Sequence, residues 1–298
     1  MGKRFTVVGL GEILWDLFPG GKQLGGAPTN FAYISTLLGD LGVVASRVGR
    51  DDLGSEALER LKILGVESSY VQLDASHRTG TVRVHLDRRG QPRFMIHEDV
   101  AWDFLSWNSR WKRLAREADA VCFGTLAQRS PRSRRTIRQF LRNTRGIRVF
   151  DVNLRQSFYS AEILRESVCI STIVKMNHEE LPVILKLLGL APGEDKLAAK
   201  RLLRLGPKLV CVTRGDEGSV LVNRRGAAEN RGFRVRVVDT VGSGDAFTAA
   251  LAHQYLRGSS LEKMNDAANR MGSWVATQAG GTPMVAKEGL HRRLAELR

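Results

Sequence analysis

Apolar and polar positions follow two rhythms along this chain. The apolar run Val7-Val8-Gly9 reads as a buried strand and leads into glycine-rich sequence. Residues 27–38 carry apolar positions at helical spacing and predict a helix packed on a sheet. LGVVASRVG at 41–49 reads as one strand, and 52–66 as a helix with a glycine stop. After residue 120 the same alternation returns. Strands are predicted over 120–124, 147–153, 171–177 and 208–215, and helices over 131–145, 179–189 and 196–206. FRVRVVD at 233–239 reads as a strand, and 245–279 as two long helices. Alternating strands and helices predict a parallel sheet covered by helices on both faces.

Between 68 and 98 the period shortens to two. YVQLD and TGTVRVHLDRRGQPRFMIH alternate apolar with polar residues around a turn at Arg88-Arg89-Gly90, which predicts an antiparallel hairpin with one wet face. A small sheet inserted in a parallel α/β unit is often a lid over a cleft. The expected organisation is one domain over 1–298, with lid segments at about 12–24 and 68–98. Thr81, Arg83 and His85 share one hairpin face, which could meet a substrate. Val82, Val84 and Leu86 share the other, a candidate dimerisation surface. Arg93, Phe94 and His97 lie on the same hairpin.

Composition adds one anomaly. The 298 residues carry 46 Lys+Arg against 31 Asp+Glu, a net charge of +15, and 35 of the basic residues are Arg. Eight arginines fall within 129–148, with Arg134, Arg138, Arg142 and Arg145 along one predicted helical stripe. Without interleaved aromatics or a nucleic-acid module, this pattern reads as a solvated helix face and disfavours nucleic acid as a partner. Cys122, Cys169 and Cys211 sit in separate apolar runs and read as reduced core thiols in a cytoplasmic protein. No apolar run approaches 18 residues, so no membrane helix is expected. Glu12 and Asp16 interrupt the N-terminal apolar stretch and argue against a signal peptide. Met1-Gly2 with Thr6 fits a loose myristoylation pattern, but a first strand explains those residues better.

Chemistry concentrates in two glycine-rich segments. Asp239-Thr240-Val241-Gly242-Ser243-Gly244-Asp245 precedes a helical run, so backbone amides can converge on an anion at a helix N-terminus. A carboxylate at Asp245, in the first turn, could take a proton from an alcohol attacking a phosphoryl group. Leu24-Gly25-Gly26-Ala27-Pro28-Thr29-Asn30 lets a ligand approach the backbone, and Asn30 offers a donor and an acceptor suited to sugar hydroxyls. Asn177 and Glu180 also fit a simple helix capping box.

LGGAPTN and DTVGSGDAF together resemble the two signatures of the ribokinase-like, or PfkB, carbohydrate kinases. GEILWD, FDVNLRQSFY and VKMNHEEL are similar to the fructokinase-type members. The resemblance implies a ribokinase-like three-layer sandwich with a central, mostly parallel sheet and a small β-sheet lid. It implies an ATP-dependent sugar kinase acting on a primary hydroxyl, with fructose or a related ketose or sugar acid as acceptor. Asp245 matches the catalytic base, and the amides of Gly242, Ser243 and Gly244 match the anion hole. Asp16, Gly25, Gly26 and Asn30 match sugar-binding positions, and Asn153, Arg155 and Arg83 are further substrate candidates. Asn177, Thr213, Gly215, Gly218 and Asn269 match nucleotide-side positions. Glu180 matches a residue that holds Mg²⁺ through water. Asp239 and Thr240 resemble a loop that takes a monovalent cation such as K⁺, although Gly280-Gly281 departs from the usual pattern there. Two other readings stay open at this point: a ribose or nucleoside kinase of the same fold, and a non-catalytic polyanion-binding regulator.

Overall fold

The computed structural model describes residues 3–18, 20–86, 92–285 and 289–297. The chain opens with strand β1 (Thr6–Leu10) and then passes into β2 (Leu14–Phe18) and β3 (Gly21–Gly25). Helix α1 (Ala27–Leu37) follows, with Pro28 in its first turn, where no intrahelical N–H is needed. Next come β4 (Leu41–Ala45), β5 (Arg47–Gly49), α2 (Asp52–Ile63), β6 (Gln72–Asp74), β7 (Gly80–Leu86) and β8 (Pro92–Ile96). Asp51 caps α2 through Gly54 N at 2.8 Å. Helix α3 (Ser109–Glu117) leads to the repeating part of the fold: β9 (Ala120–Phe123), α4 (Pro131–Asn143), β10 (Ile147–Asp151), α5 (Ala161–Ile170) and β11 (Ile173–Asn177). It continues with α6 (Glu180–Leu188), α7 (Asp195–Leu203), β12 (Leu209–Thr213), β13 (Ser219–Asn223) and β14 (Ala227–Asn230). Helices α8 (Ser243–Leu256), α9 (Leu261–Ala276) and α10 (Leu290–Ala295) close the chain.

The large sheet has eight strands in the order β14-β13-β12-β11-β10-β9-β1-β4. Six are parallel, and β13 and β14 extend them as an antiparallel edge. Adjacent residues in the central strands feed opposite layers. Val8, Val121, Val174 and Val210 join a core with α3 to α7, while Val7, Cys122, Ile173 and Cys211 join one with α1, α2, α8 and α9. The expected three-layer sandwich is thus present. No helix among the described residues is long and apolar enough to cross a membrane.

A four-stranded sheet, β3-β2-β7-β8, sits beside the large one. Its composition corrects the expected lid limits. Residues 72–74 pair instead with 47–49 in a separate two-stranded sheet. The strand expected over 41–49 therefore breaks at Ser46, its halves serving different sheets. The turn at 88–90 lies outside the described residues, as do the side chains of His85, Arg93 and Phe94. Register turns the lid over relative to expectation. Asp16 aligns with Val82 and Leu17 with Arg83, so Asp16 shares its face with Val82. That face is the inner one: Leu14, Val82 and Ile96 are buried in the core. Val82 is packed against the body, the side chains of Val84 and Leu86 lie outside the described residues, and Arg83 lies exposed on the opposite face.

Three further expectations need correction. Residues 233–239 form no strand; Val238 N and Asp239 N bond only to the Ala276 carbonyl, at 2.8 and 3.2 Å. Cys169 is exposed, unlike Cys122 and Cys211. Finally, the arginine stripe is only partly solvated. The side chain of Arg129 is 6% exposed and bonds Asp103 at 2.8 Å through both Nε and a terminal nitrogen. It also lies over the Trp102 and Phe158 rings. Arg134 and Arg138 pair with Glu162, and Arg138 also with Glu166, while Arg132, Arg135, Arg142 and Arg145 are exposed.

Candidate active site

The carboxyl ends of β1, β9, β10, β11 and β12 open on one side of the sheet, where open α/β sheets bind ligands. Helix α8 points its N-terminus into that opening. Gly242 caps it with φ 78°, a left-handed conformation that favours glycine. A Cβ on Gly242 would lie 2.3 Å from Gly281 Cα, so the two loops meet this closely only because residue 242 lacks a side chain. Asp239 ties them further: Oδ1 accepts from Val241 N at 2.9 Å and Oδ2 from Gly280 N at 3.0 Å. Ser243 N turns back to the Thr240 carbonyl at 3.2 Å, while the amides of Gly242 and Gly244 have no partner among the described residues and make an anion-ready surface.

Asp245 stands in that first turn, with Oδ2 accepting from Asn30 Nδ2 at 2.8 Å. Burial pushes its carboxyl up to about 6, Asp151 adds to the effect, and Asn30, Lys175 and Arg155 oppose it. Asn30 is held on α1 directly below Gly281, where a Cβ would come within 2.6 Å of its Nδ2. Asp16 is raised to about 6 by burial, with Arg155 drawing it down and Asp239 pushing it up. A Cβ on Gly25 would lie 2.5 Å from Asp16 Oδ2. Gly26 has φ 103°, and its Cβ would strike the Glu12 carbonyl. The structure therefore brings Asp16, Gly25, Gly26, Asn30, Asp245 and the charge of Arg155 together. It does not bring Arg83, which faces away.

On the other side of α8 lies a cleft of about 1090 Å³ lined by Thr213, Gly215, Gly218, Ser243, Gly244 and Asn269. Asn269 is buried and donates to Ser219 Oγ at 2.8 Å. Arg214 turns away from the cleft to meet Asp195 at 2.6 Å and Glu229 at 3.7 Å. Asn153 adopts φ 45°, a left-handed conformation that Asn tolerates better than most residues. Its carbonyl accepts from Thr125 Oγ1 at 3.2 Å.

Asn177 and Glu180 form the capping box. Asn177 Oδ1 accepts from Glu180 N at 2.8 Å, and Glu180 Oε2 accepts from Asn177 N at 2.9 Å. Glu180 Oε1 takes Leu154 N at 2.7 Å. Burial raises this carboxyl, with Lys175 drawing it down. No cluster of three His, Cys, Asp or Glu positioned for a metal occurs among the described residues. The Glu180 carboxylate, which already accepts the amides of Asn177 and Leu154, offers oxygen donors of the kind that hold Mg²⁺ through its waters.

Sequence reasoning gave no role to two buried charges here. Lys175 interrupts the apolar strand β11, and its Nζ lies 3.1 and 3.2 Å from the Asp151 oxygens. Glu12 is 3% exposed, and its Oε2 has no hydrogen-bond partner among the described residues. A charged residue inside an apolar run was the available signal in both cases.

A carboxylate floor facing an anion-ready helix terminus across an open α/β sheet is the arrangement of a small-molecule kinase. Residues 19–288 match the pfkB family carbohydrate kinase model, and the chain belongs to that family. It is 29% identical over 317 residues to fructokinase-1 of Oryza sativa subsp. japonica, covering 96% of each chain. It is 30% identical over 260 residues to the fructokinase of Escherichia coli, covering 81% of each. It also resembles the structure of an uncharacterized sugar kinase from Pyrococcus horikoshii in complex with ATP. The TM-score there is 0.81 at 26% identity, over 98% of this chain and 99% of that one.

Proposed function

We propose that the protein transfers the γ-phosphoryl group of ATP to a primary hydroxyl of a small ketose, fructose being the first candidate. The observation that carries this reading is the Asp245 carboxyl, fixed by Asn30 at 2.8 Å beside the amides that open α8. Asp16 and Asn30 accept and donate hydrogen bonds to sugar hydroxyls, and Gly25 and Gly26 let the ring lie against the backbone. The four-stranded sheet covers the sugar as a lid. Asp245 removes the proton of the attacking hydroxyl. The amides of Gly242, Ser243 and Gly244 stabilise charge that develops on the transferred group. Thr213, Gly215, Gly218 and Asn269 line the nucleotide side, and Asn153 and Arg155 lie where sugar and phosphates meet. Mg²⁺ bound with the nucleotide would supply charge neutralisation, and Glu180 and Asn177 are the residues that would hold it through water. Asp239 and Thr240 shape the loop where a monovalent cation such as K⁺ would sit.

The test is Asp245→Asn, read by coupled ADP release with fructose, ribose, 2-keto-3-deoxygluconate, tagatose 6-phosphate and nucleosides as acceptors. Turnover should fall about 10²- to 10⁴-fold while sugar binding persists. Wild-type kcat/KM should rise with pH through about 6, where Asp245 loses its proton. Near wild-type turnover in the variant would remove Asp245 from the role of base. Turnover with a nucleoside and none with fructose would reassign the acceptor.

A further inference from the structure

One wall of the 1090 Å³ cleft is held by neither a sheet nor a helix. Residues 231–237 cross it as a strap, with Phe233, Val235 and Val237 among its lining residues. Amides tie the strap down at its ends. Gly232 N donates to Asn230 Oδ1 at 2.8 Å, and beyond the strap Val238 N and Asp239 N reach the Ala276 carbonyl. Between these ties, residues 233–237 make no backbone hydrogen bond among the described residues, and Val237 is 56% exposed. Helix α9 supplies Asn269, Gly272, Ser273 and Ala276 to the same cleft, one stripe at spacings of three and four. The distance from strap to α9 therefore sets the width of the cleft.

Arg270 spans that distance. It follows Asn269 on α9, and its guanidinium carbon lies 4.3 Å from the centre of the Phe233 ring. The guanidinium is itself locked in place. Nε donates to Asp266 Oδ2 at 2.7 Å, and Nη1 donates to the Leu294 and Leu297 carbonyls at 2.9 and 2.7 Å. Those carbonyls belong to the end of α10 and the chain just after it, where helical partners run out. Leu290, at the start of α10, is 2% exposed, so the helix is packed on the body of the protein. A planar guanidinium can serve a ring face, a carboxylate and two carbonyls at once, which a lysine ammonium cannot. We propose that Arg270 is a positioning residue for the nucleotide: it pins Phe233 against α9, fixes the width of the cleft and makes that width depend on the docking of α10. This deepens the proposed function, since it rests on ATP occupying this cleft. Arg270 is not among the residues that line the cleft, so it acts through Phe233. Its effect falls on binding, and phosphoryl transfer at Asp245 proceeds unchanged once ATP is bound.

The experiment is calorimetric ATP binding to the full chain, beside steady-state kinetics with ATP and sugar varied in turn. In Arg270→Met the Kd for ATP should rise about five- to tenfold, while kcat and the KM for sugar stay within about twofold. Phe233→Leu should give a rise of similar size. In the double variant the two effects should not multiply, because both break the same contact. An ATP Kd within about twofold of wild type in Arg270→Met would overturn the proposal, and so would effects that multiply in the double variant. A residue that merely docks α10 would lower the urea midpoint and leave the ATP Kd in place. If Arg270→Met does not fold, Arg270→Lys keeps the charge without the planar fork. Its ATP Kd should still rise about threefold, and an unchanged value would equally overturn the proposal. Failure of the cleft assignment shows separately. Ser273→Phe fills the cleft and should abolish ATP binding; ATP binding retained there would place the nucleotide elsewhere.

Discussion

Glu12 offers the most quantitative test of how this site is built. It is buried at the junction of β1 and β2, and burial raises its carboxyl from 4.5 to about 7. Asp245 adds to that rise, while Arg155 and the amides of Glu12 and Ala27 oppose it. A carboxyl that binds its proton more tightly when folded makes stability fall as pH rises between those two values. The loss begins near the unfolded value of 4.5 and is complete above about 7. At about 1.36 kcal/mol per pH unit, that interval corresponds to about 3 kcal/mol. Glu12→Gln keeps the shape and an accepting oxygen, and places a donor where Oε2 has no partner. The variant should match wild type near pH 4.5 and exceed it by about 3 kcal/mol at pH 8, as urea unfolding at a series of pH values would show. A difference between the two proteins that is constant across pH would refute this account. So would a variant less stable than wild type at pH 8, which would mean that Oε2 has a partner worth more than the burial penalty.

Two other outcomes follow from charges that the structure has already engaged. Arg129→Met should cost about 3–5 kcal/mol in urea unfolding, because Asp103 is left buried without its partner. Adding Asp103→Asn should recover part of that loss. Arg214→Met should leave the KM for ATP within about twofold, because its guanidinium is committed to Asp195 at 2.6 Å; a larger rise would place Arg214 on the nucleotide.

Much of the layout was legible because it rests on local rules. The paired apolar strands with intervening helices announced the parallel sheet, and the glycines around Ser243 announced a helix terminus that side chains could not have allowed. What escaped prediction depended on partners far away in sequence. Ser46 divides one apolar run between two sheets, and nothing local marks it. FRVRVVD alternates as a strand should, but the amides at its end, Val238 N and Asp239 N, go to the Ala276 carbonyl at the end of α9. Arg83 was placed on the substrate face because its neighbours on that face were polar. The β2–β7 register, set by distant pairing, turns that face outward. Arg129 was read as one more surface arginine among eight, yet Asp103, 26 residues away, makes it an interior group. Lys175 and Glu12 carried a visible signal, a charge within an apolar run, but their counterparts Asp151 and Asp245 could only be matched in three dimensions.

The ends of the large sheet carry a different consequence, for how the protein behaves at high concentration. An unpaired outer strand is a template for a neighbouring chain. The free side of β4 is taken by Glu67, which donates to the Gly42 carbonyl at 2.9 Å and accepts from Val44 N at 3.0 Å. At the far end β14 is only four residues long and carries Glu229, which is ion-paired to Lys196. Asn265, from α9, donates to its Ala228 carbonyl at 3.0 Å. Both ends are plugged by side chains or loop backbone of the same molecule. Fibre-like growth through this sheet would first have to break those contacts, and the exchange-protected edges of a monomer would be the sign that they hold.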